Sequence, residues 1–403
     1  MTSGQTGGSG STRLILYVGK GGVGKTTLAA GTAALAARRG QRTLVVSTDL
    51  AHSLGDVLDV RLSAEPMRIA DRLEAQEVNV LEEVRRSWGK VQDRLAEFLR
   101  EEGMSEVQAD ELAIVPGMEE VAGLMQIDRK VRSGEYDCIV VDAAPTGETI
   151  RLLSMPESFQ WYAGRLEQWR GRLLRLAGPF LTTLVPDLNV VDVMKQIATR
   201  VRALRGRLTD PRQSSYRIVV TPDRTVLREA QRAETYLNLF NYPIDAVLVN
   251  RVLSETGHED QFTRALLQRQ AQALTGIRDA FATLPIFEAP LTAEEPLGVE
   301  ALAHLAESAF GTTDPTAVLH VGATQRIERQ GDGYVLRLTM PNVEVERMAL
   351  IKRGDELYID IGNFRREVTL PYTLAALEPG TARIHDGALE IPFMAATENG
   401  ATA

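Results

Sequence analysis

The stretch YVGKGGVGKTTLAAG, residues 17–31, constrains this chain more than any other. It satisfies the pattern G-x-x-x-x-G-K-[ST] at Gly19, Gly24, Lys25 and Thr26. The apolar run RLILYV precedes it and TTLAAGTAALAARRG follows, so the loop lies between a buried strand and an Ala-rich helix ended by Gly40. That strand–loop–helix context is what the pattern needs. Glycines let backbone N–H groups curl around phosphate, and a helix N-terminus adds partial positive charge. The expected nucleotide-binding residues are therefore Gly19, Gly21, Gly22, Val23, Gly24, Lys25, Thr26 and Thr27. Lys25 is expected to reach the outer phosphates, and the Thr26 hydroxyl to bind Mg²⁺ directly.

The loop carries a second lysine, Lys20. One lysine is enough to hold the phosphates. A second cation gains a use if it acts on nucleotide bound by another subunit, in the manner of an arginine finger. Otherwise Lys20 is a solvated loop residue. The segment KGGVGKTT, Lys20–Thr27, resembles the signature of the deviant Walker A ATPases. The resemblance implies a face-to-face homodimer with ATP sandwiched between subunits, Lys20 crossing from one to the other.

Strand-like runs recur at 13–18, 42–49, 136–145, 215–223 and 244–252, short, β-branched and apolar. Such runs mark parallel strands covered on both faces. With helical stretches between them they predict an α/β fold, a doubly wound, mostly parallel sheet of the P-loop NTPase kind over 13–312. Two helical insertions, about 66–132 and 150–208, are expected to form a helical subdomain. After a linker at 313–330 the pattern changes to alternation, with Tyr334, Leu336, Leu338 and Met340 on one face and Leu357, Ile359 and Ile361 on another strand. Turn signals at Gly331–Gly333, Gly354–Asp355 and Asp386–Gly387 complete a small all-β sandwich over 331–394.

The 403 residues, 44% hydrophobic, suffice for two cores. A net charge of −9 argues against a nucleic-acid partner, which calls for a basic footprint. No run of about 18 apolar residues spans a membrane. Residues 1–12 and 395–403 read as flexible tails, and the first has no signal-peptide character. A soluble cytoplasmic protein is expected. The single cysteine, Cys138, lies in an apolar strand and reads as a buried, inert thiol.

In such sheets ligands bind at the carboxyl ends of strands. Asp49 ends the second strand and is placed to position or deprotonate an attacking water, unless it only caps a helix. In VDAAPTGETIRLL, Asp142 is expected to hold the Mg²⁺ shell through water, as is Asp49. Pro145, Thr146 and Gly147 form a turn suited to sensing the γ-phosphate, or a plain strand-end turn. Asn250 closes AVLVN, where its amide can read an adenine edge.

Together these segments resemble the ArsA/Get family, the arsenite-pump and tail-anchored-protein targeting ATPases. The matches are STDLAHS, DAAPTGETIRLL, VTPDRTVLREAQR, VLVNRVL and FEAPLTAEEPLGVEAL, the last placing Pro290 and Leu291 beside the adenine. The resemblance covers about 13–310 and implies Mg²⁺-dependent ATP hydrolysis by a homodimer whose helical subdomains open and close. The cysteines that bind metalloid in arsenite ATPases have no counterparts, and no C-x-x-C clasp is present. LTMPNVEVERMALIKRGDELYIDI, FRREVTLP and HDGALEIPF resemble the α-crystallin domain of small heat-shock proteins.

The second insertion is rich in Leu, Met, Phe, Trp and Arg. Met155, Phe159, Trp161, Leu181, Leu184 and Met194 are expected to line a groove for a hydrophobic or membrane-protein client, or else to pack a helical cover. Its arginines suit peripheral contact with a membrane or an acidic partner. The expected function is an ATP-hydrolysing homodimeric switch that binds and releases hydrophobic clients. The alternatives are a pump-driving ATPase for a metalloid or ion and a regulatory partner-binding switch.

Overall fold

The computed structural model describes residues 12–48, 53–78, 100, 118–143, 199–254, 260–322, 325–331, 333–343, 348–362 and 364–394. Asp49, Pro145, Thr146, Gly147 and the expected groove residues Met155, Phe159, Trp161, Leu181, Leu184 and Met194 lie outside them.

The first domain is built on an eight-stranded sheet of order β3-β4-β2-β5-β1-β6-β7-β8. Its strands are β1 (Arg13–Val18), β2 (Thr43–Ser47), β3 (Met67–Ala70), β4 (Leu73–Glu77), β5 (Cys138–Asp142), β6 (Ser214–Val220), β7 (Ile244–Val252) and β8 (Ile286–Pro290). All neighbours are parallel except β3 and β4, which form an antiparallel edge. The strands expected from apolar runs are present and central. Residues 67–77, expected within a helical insertion, instead extend the sheet as β3 and β4. The described helix of that insertion is α3 (Met118–Ser133). Of the second insertion, the described residues 199–208 are helical, labelled α4.

Helix α1 (Lys25–Arg38) follows the loop and is buried along most of its length. Its small side chains let α7 (Gly298–Phe310) approach so closely that a Cβ on Gly31 would stand 2.7 Å from the Leu302 carbonyl oxygen. The remaining helices of this domain are α2 (Ser53–Leu58), α5 (Arg224–Leu239) and α6 (Gln261–Ala280).

Two of the expected apolar strands hold buried charge. Arg217 on β6 is fully buried, and its Nε donates to Asp245 Oδ1 on β7 at 3.1 Å. Its other nitrogens reach Tyr17 Oη and the Ala317 carbonyl, both at 3.5 Å. Burial opposes the charge on Arg217, but Asp245 and Tyr17 outweigh it and raise the pKa.

The same network explains the chain after α7. Residues 313–330 were expected as a linker, yet their first part is pinned across the sheet. Arg13 Nε donates to the Thr316 carbonyl at 3.2 Å, Gln41 Nε2 to Thr316 Oγ1 at 2.7 Å, and the Leu319 N–H to Asp245 Oδ2 at 3.3 Å. Thr316 is buried.

The second domain begins at β9 (Gln325–Gln330), inside the expected linker. Strands β10 (Gly333–Thr339), β14 (Glu378–Pro379), β15 (Arg383–His385) and β16 (Ala388–Met394) join β9 in one antiparallel sheet. The other sheet is β11 (Met348–Arg353), β12 (Glu356–Ile361) and β13 (Phe364–Thr369), with the short α8 (Tyr372–Ala375) after it. Leu336, Leu338, Leu357, Ile359, Leu389, Ile391 and Phe393 are fully buried, as the alternation requires.

This domain rests on α5. Asn342, just after β10, donates to Glu234 Oε2 at 2.7 Å and accepts from Gln231 Nε2 at 3.0 Å. Phe364 packs against Tyr236 with centroids 4.5 Å apart and meets Phe240 edge-on at 6.3 Å. Burial pushes the Glu234 carboxyl up to about 7, against the lowering effect of its Asn342 hydrogen bond. The folded chain therefore holds a proton that the unfolded chain releases. Folding stability should fall as pH rises from 4.5 to about 7 and level off above. Hydrogen exchange of α5 amides across that range should show the trend, and Glu234→Gln should flatten it.

Candidate active site

The carboxyl end of β1 opens into the loop at the point where the sheet order reverses, the usual ligand crevice of such sheets. Gly24 has φ of 90°, and a Cβ there would stand 2.2 Å from Asn250 Nδ2. A Cβ on Gly19 would stand 2.5 Å from the Val219 carbonyl oxygen. Glycine is therefore required at both positions for the loop to close on its neighbours. Gly21 and Gly22 are exposed and meet nothing, leaving their backbone accessible. Val23 is buried beneath the loop, and Thr27 follows Thr26 in the first turn of α1.

The two lysines differ. Lys25 is buried and its Nζ donates back to the Lys20 carbonyl at 3.4 Å, so it lies over its own loop. The Lys20 side chain leaves the loop and is 41% exposed, its Nζ 3.8 Å from Glu229 Oε2 on α5.

Asp142 ends β5 between Tyr17 on β1 and Ser47 on β2, fully buried. Ser47 Oγ donates to its Oδ2 at 3.3 Å. Thr26 Oγ1 and Ser53 Oγ, at the start of α2, are 3.1 Å apart. Ser47 and Ser53 were not read as site residues, although both flank Asp49 in the segment STDLAHS. The glycine cradle, the hydroxyl pair and the buried carboxylate fit a nucleotide with Mg²⁺. Thr26 and Asp142 are the described residues that would hold the ion.

Asn250 has a role the sequence did not signal. Its Nδ2 donates to the Val23 carbonyl and its Oδ1 accepts from the Arg251 N–H, both at 2.9 Å. It clamps the loop to β7. Pro290 ends β8 beside Val252, and Leu291 next to it is 49% exposed at the same edge of the sheet.

Cys138 is fully buried on β5, and burial pushes its thiol up to about 12. Among the described residues, no helix is long and apolar enough to cross a membrane.

Comparison with known proteins agrees with this geometry. A family described as anion-transporting ATPase matches residues 12–310, and an HSP20-like domain found in ArsA matches 331–393. A putative arsenical pump-driving ATPase 1 of Aquifex aeolicus is 36% identical over 92% of this chain and 97% of its own length. A putative arsenical pump-driving ATPase of Chlorobaculum tepidum is 36% identical over 94% of this chain and 96% of its own. ATPase ASNA1 homolog 2 of Paramecium tetraurelia is 27% identical over 74% of this chain and 93% of its own. The chain belongs to the ArsA family of ATPases and carries that family's HSP20-like domain at its C-terminus.

Proposed function

We propose that this ATPase works in the cytoplasm as a homodimer whose closure across two nucleotides holds a hydrophobic client segment, and whose hydrolysis releases it. The observation that carries the dimer is the division of labour between the lysines. Lys25 lies on its own loop, whereas the Lys20 side chain leaves it. In the active state the loop N–H groups and Lys25 bind the phosphates, and Lys20 serves the nucleotide of the other subunit. Asp49 orients the attacking water and takes its proton. Thr26, and through water Asp142 and Asp49, would hold Mg²⁺, which would supply neutralisation of charge on the phosphate oxygens. Pro145, Thr146 and Gly147 sense the γ-phosphate, and Asn250, Pro290 and Leu291 border the adenine.

Client handling draws support from the HSP20-like domain and from the relative described as an ASNA1 homolog. The groove is assigned to Met155, Phe159, Trp161, Leu181, Leu184 and Met194, whose apolar character suits varied partners. Pump driving is the second reading, favoured by the names of the arsenical relatives. Against a cysteine-based metalloid site stands the one cysteine of this sequence, a buried thiol pushed up to about 12.

Asp49→Asn should bind ATP yet hydrolyse it at least about 100-fold more slowly. That variant allows the client test, binding of a fluorescent transmembrane-type peptide with ATP and with ADP. Tight binding in ATP alone is expected. Equal affinity in both states would sink the coupling, since a ligand indifferent to two states is not moved by switching between them.

A further inference from the structure

We propose that Glu229 is a positioning residue that parks Lys20 on its own chain, and that α5 makes this tether responsive to the docked C-terminal sandwich. The proposal rests on the reading that Lys20 acts on nucleotide in a partner subunit. A lysine that must extend away from its chain is opposed by any carboxylate that holds it back. Glu229 is that carboxylate, 3.8 Å from Lys20 Nζ. Both side chains are partly exposed, so the pair is weak enough to open on each cycle.

Glu229 also stands on the helix that carries the second domain. Tyr236, about 10 Å further along α5, packs on Phe364, and Gln231 and Glu234 between them hold Asn342. The sandwich touches α5 through both of its sheets, since Asn342 follows β10 and Phe364 begins β13. The helix starts directly after the Thr221–Asp223 turn that leaves β6, whose Val219 carbonyl backs Gly19. A shift of α5 imposed by the sandwich therefore moves Glu229 relative to the loop. The sandwich thereby sets how readily Lys20 becomes available.

The test is the rate at which Lys20 is acylated by a small amine-reactive ester in the nucleotide-free full chain, read by peptide mass spectrometry. Glu229→Gln should raise that rate by up to about fivefold, the ceiling a surface ion pair sets. It should also lower the protein concentration needed for half-maximal ATP turnover by a similar factor. Phe364→Ala and, as a second variant, Asn342→Ala should raise Lys20 labelling without touching the loop. Unchanged labelling in Glu229→Gln would overturn the tether. Labelling raised by Glu229→Gln but by neither sandwich variant would overturn the coupling through α5. Raised labelling with an unchanged concentration dependence would support the tether and overturn the reading of Lys20 as acting in a partner.

Discussion

Lys20→Ala should retain nucleotide binding and lose ATP turnover by about 10³-fold or more, the scale on which a cation supplied across an interface acts. The binding half follows from the site. On the proposed assignment the loop backbone and Lys25 bind the phosphates, whereas the Lys20 side chain leaves the loop toward Glu229. The turnover half follows from the proposed transition state, whose added charge on the phosphoryl oxygens calls for a second cation beside Lys25, supplied by Lys20 of the other subunit. Equilibrium binding of a fluorescent ATP analogue and steady-state phosphate release measure the two halves. Loss of binding would make Lys20 a ligand of its own nucleotide. Normal turnover would make it a solvated loop residue.

The second large effect is on stability. Arg217→Leu should cost about 3–5 kcal/mol, because it strands the Asp245 carboxylate in the sheet without its main partner. Asp245 is 1% exposed and, among the described residues, would keep Arg13, at 4.0 Å, and the Leu319 N–H. The variant also removes the donor to the Ala317 carbonyl, so the pinned segment between the domains should loosen first. Urea unfolding of Arg217→Leu and of the double variant Arg217→Leu with Asp245→Leu separates the two sources of the loss. The double variant should recover much of it, since a buried pair replaced by apolar groups is often near neutral. A single-variant loss under about 1 kcal/mol, typical of exposed pairs, would mean the pair is solvated in solution.

What the sequence made legible was local. The central strands announce themselves as continuous apolar runs, and the loop as spaced glycines before Lys25 and Thr26. Strands β3 and β4 did not, because MRIA and LEAQE are short and mix polar residues into a sheet edge where one face stays partly exposed. The segment at 314–319 has the composition of a linker and is ordered by partners far away in sequence, Arg13, Gln41 and Asp245. Arg217 and Asp245 break the apolar pattern of β6 and β7, a signal that was present and could have been read as a buried pair. In the site, Lys25, Thr26 and Asp142 follow from spacing and strand ends. The clamp by Asn250 and the tether of Lys20 by Glu229 join residues about 200 positions apart, and only the fold brings them together.

A composite site completed by two chains can be rebuilt by mixing two inactive variants. Lys20→Ala chains keep Lys25, and Lys25→Ala chains keep Lys20. A mixed dimer then has one site with both lysines and one with neither. Subunit exchange is verified by native mass spectrometry, and phosphate release is compared with that of each parent alone. Turnover well above the sum of the parents is expected, scaling with the fraction of mixed dimers. Mixed dimers as inactive as both parents would show that Lys20 does not serve the nucleotide of the other subunit.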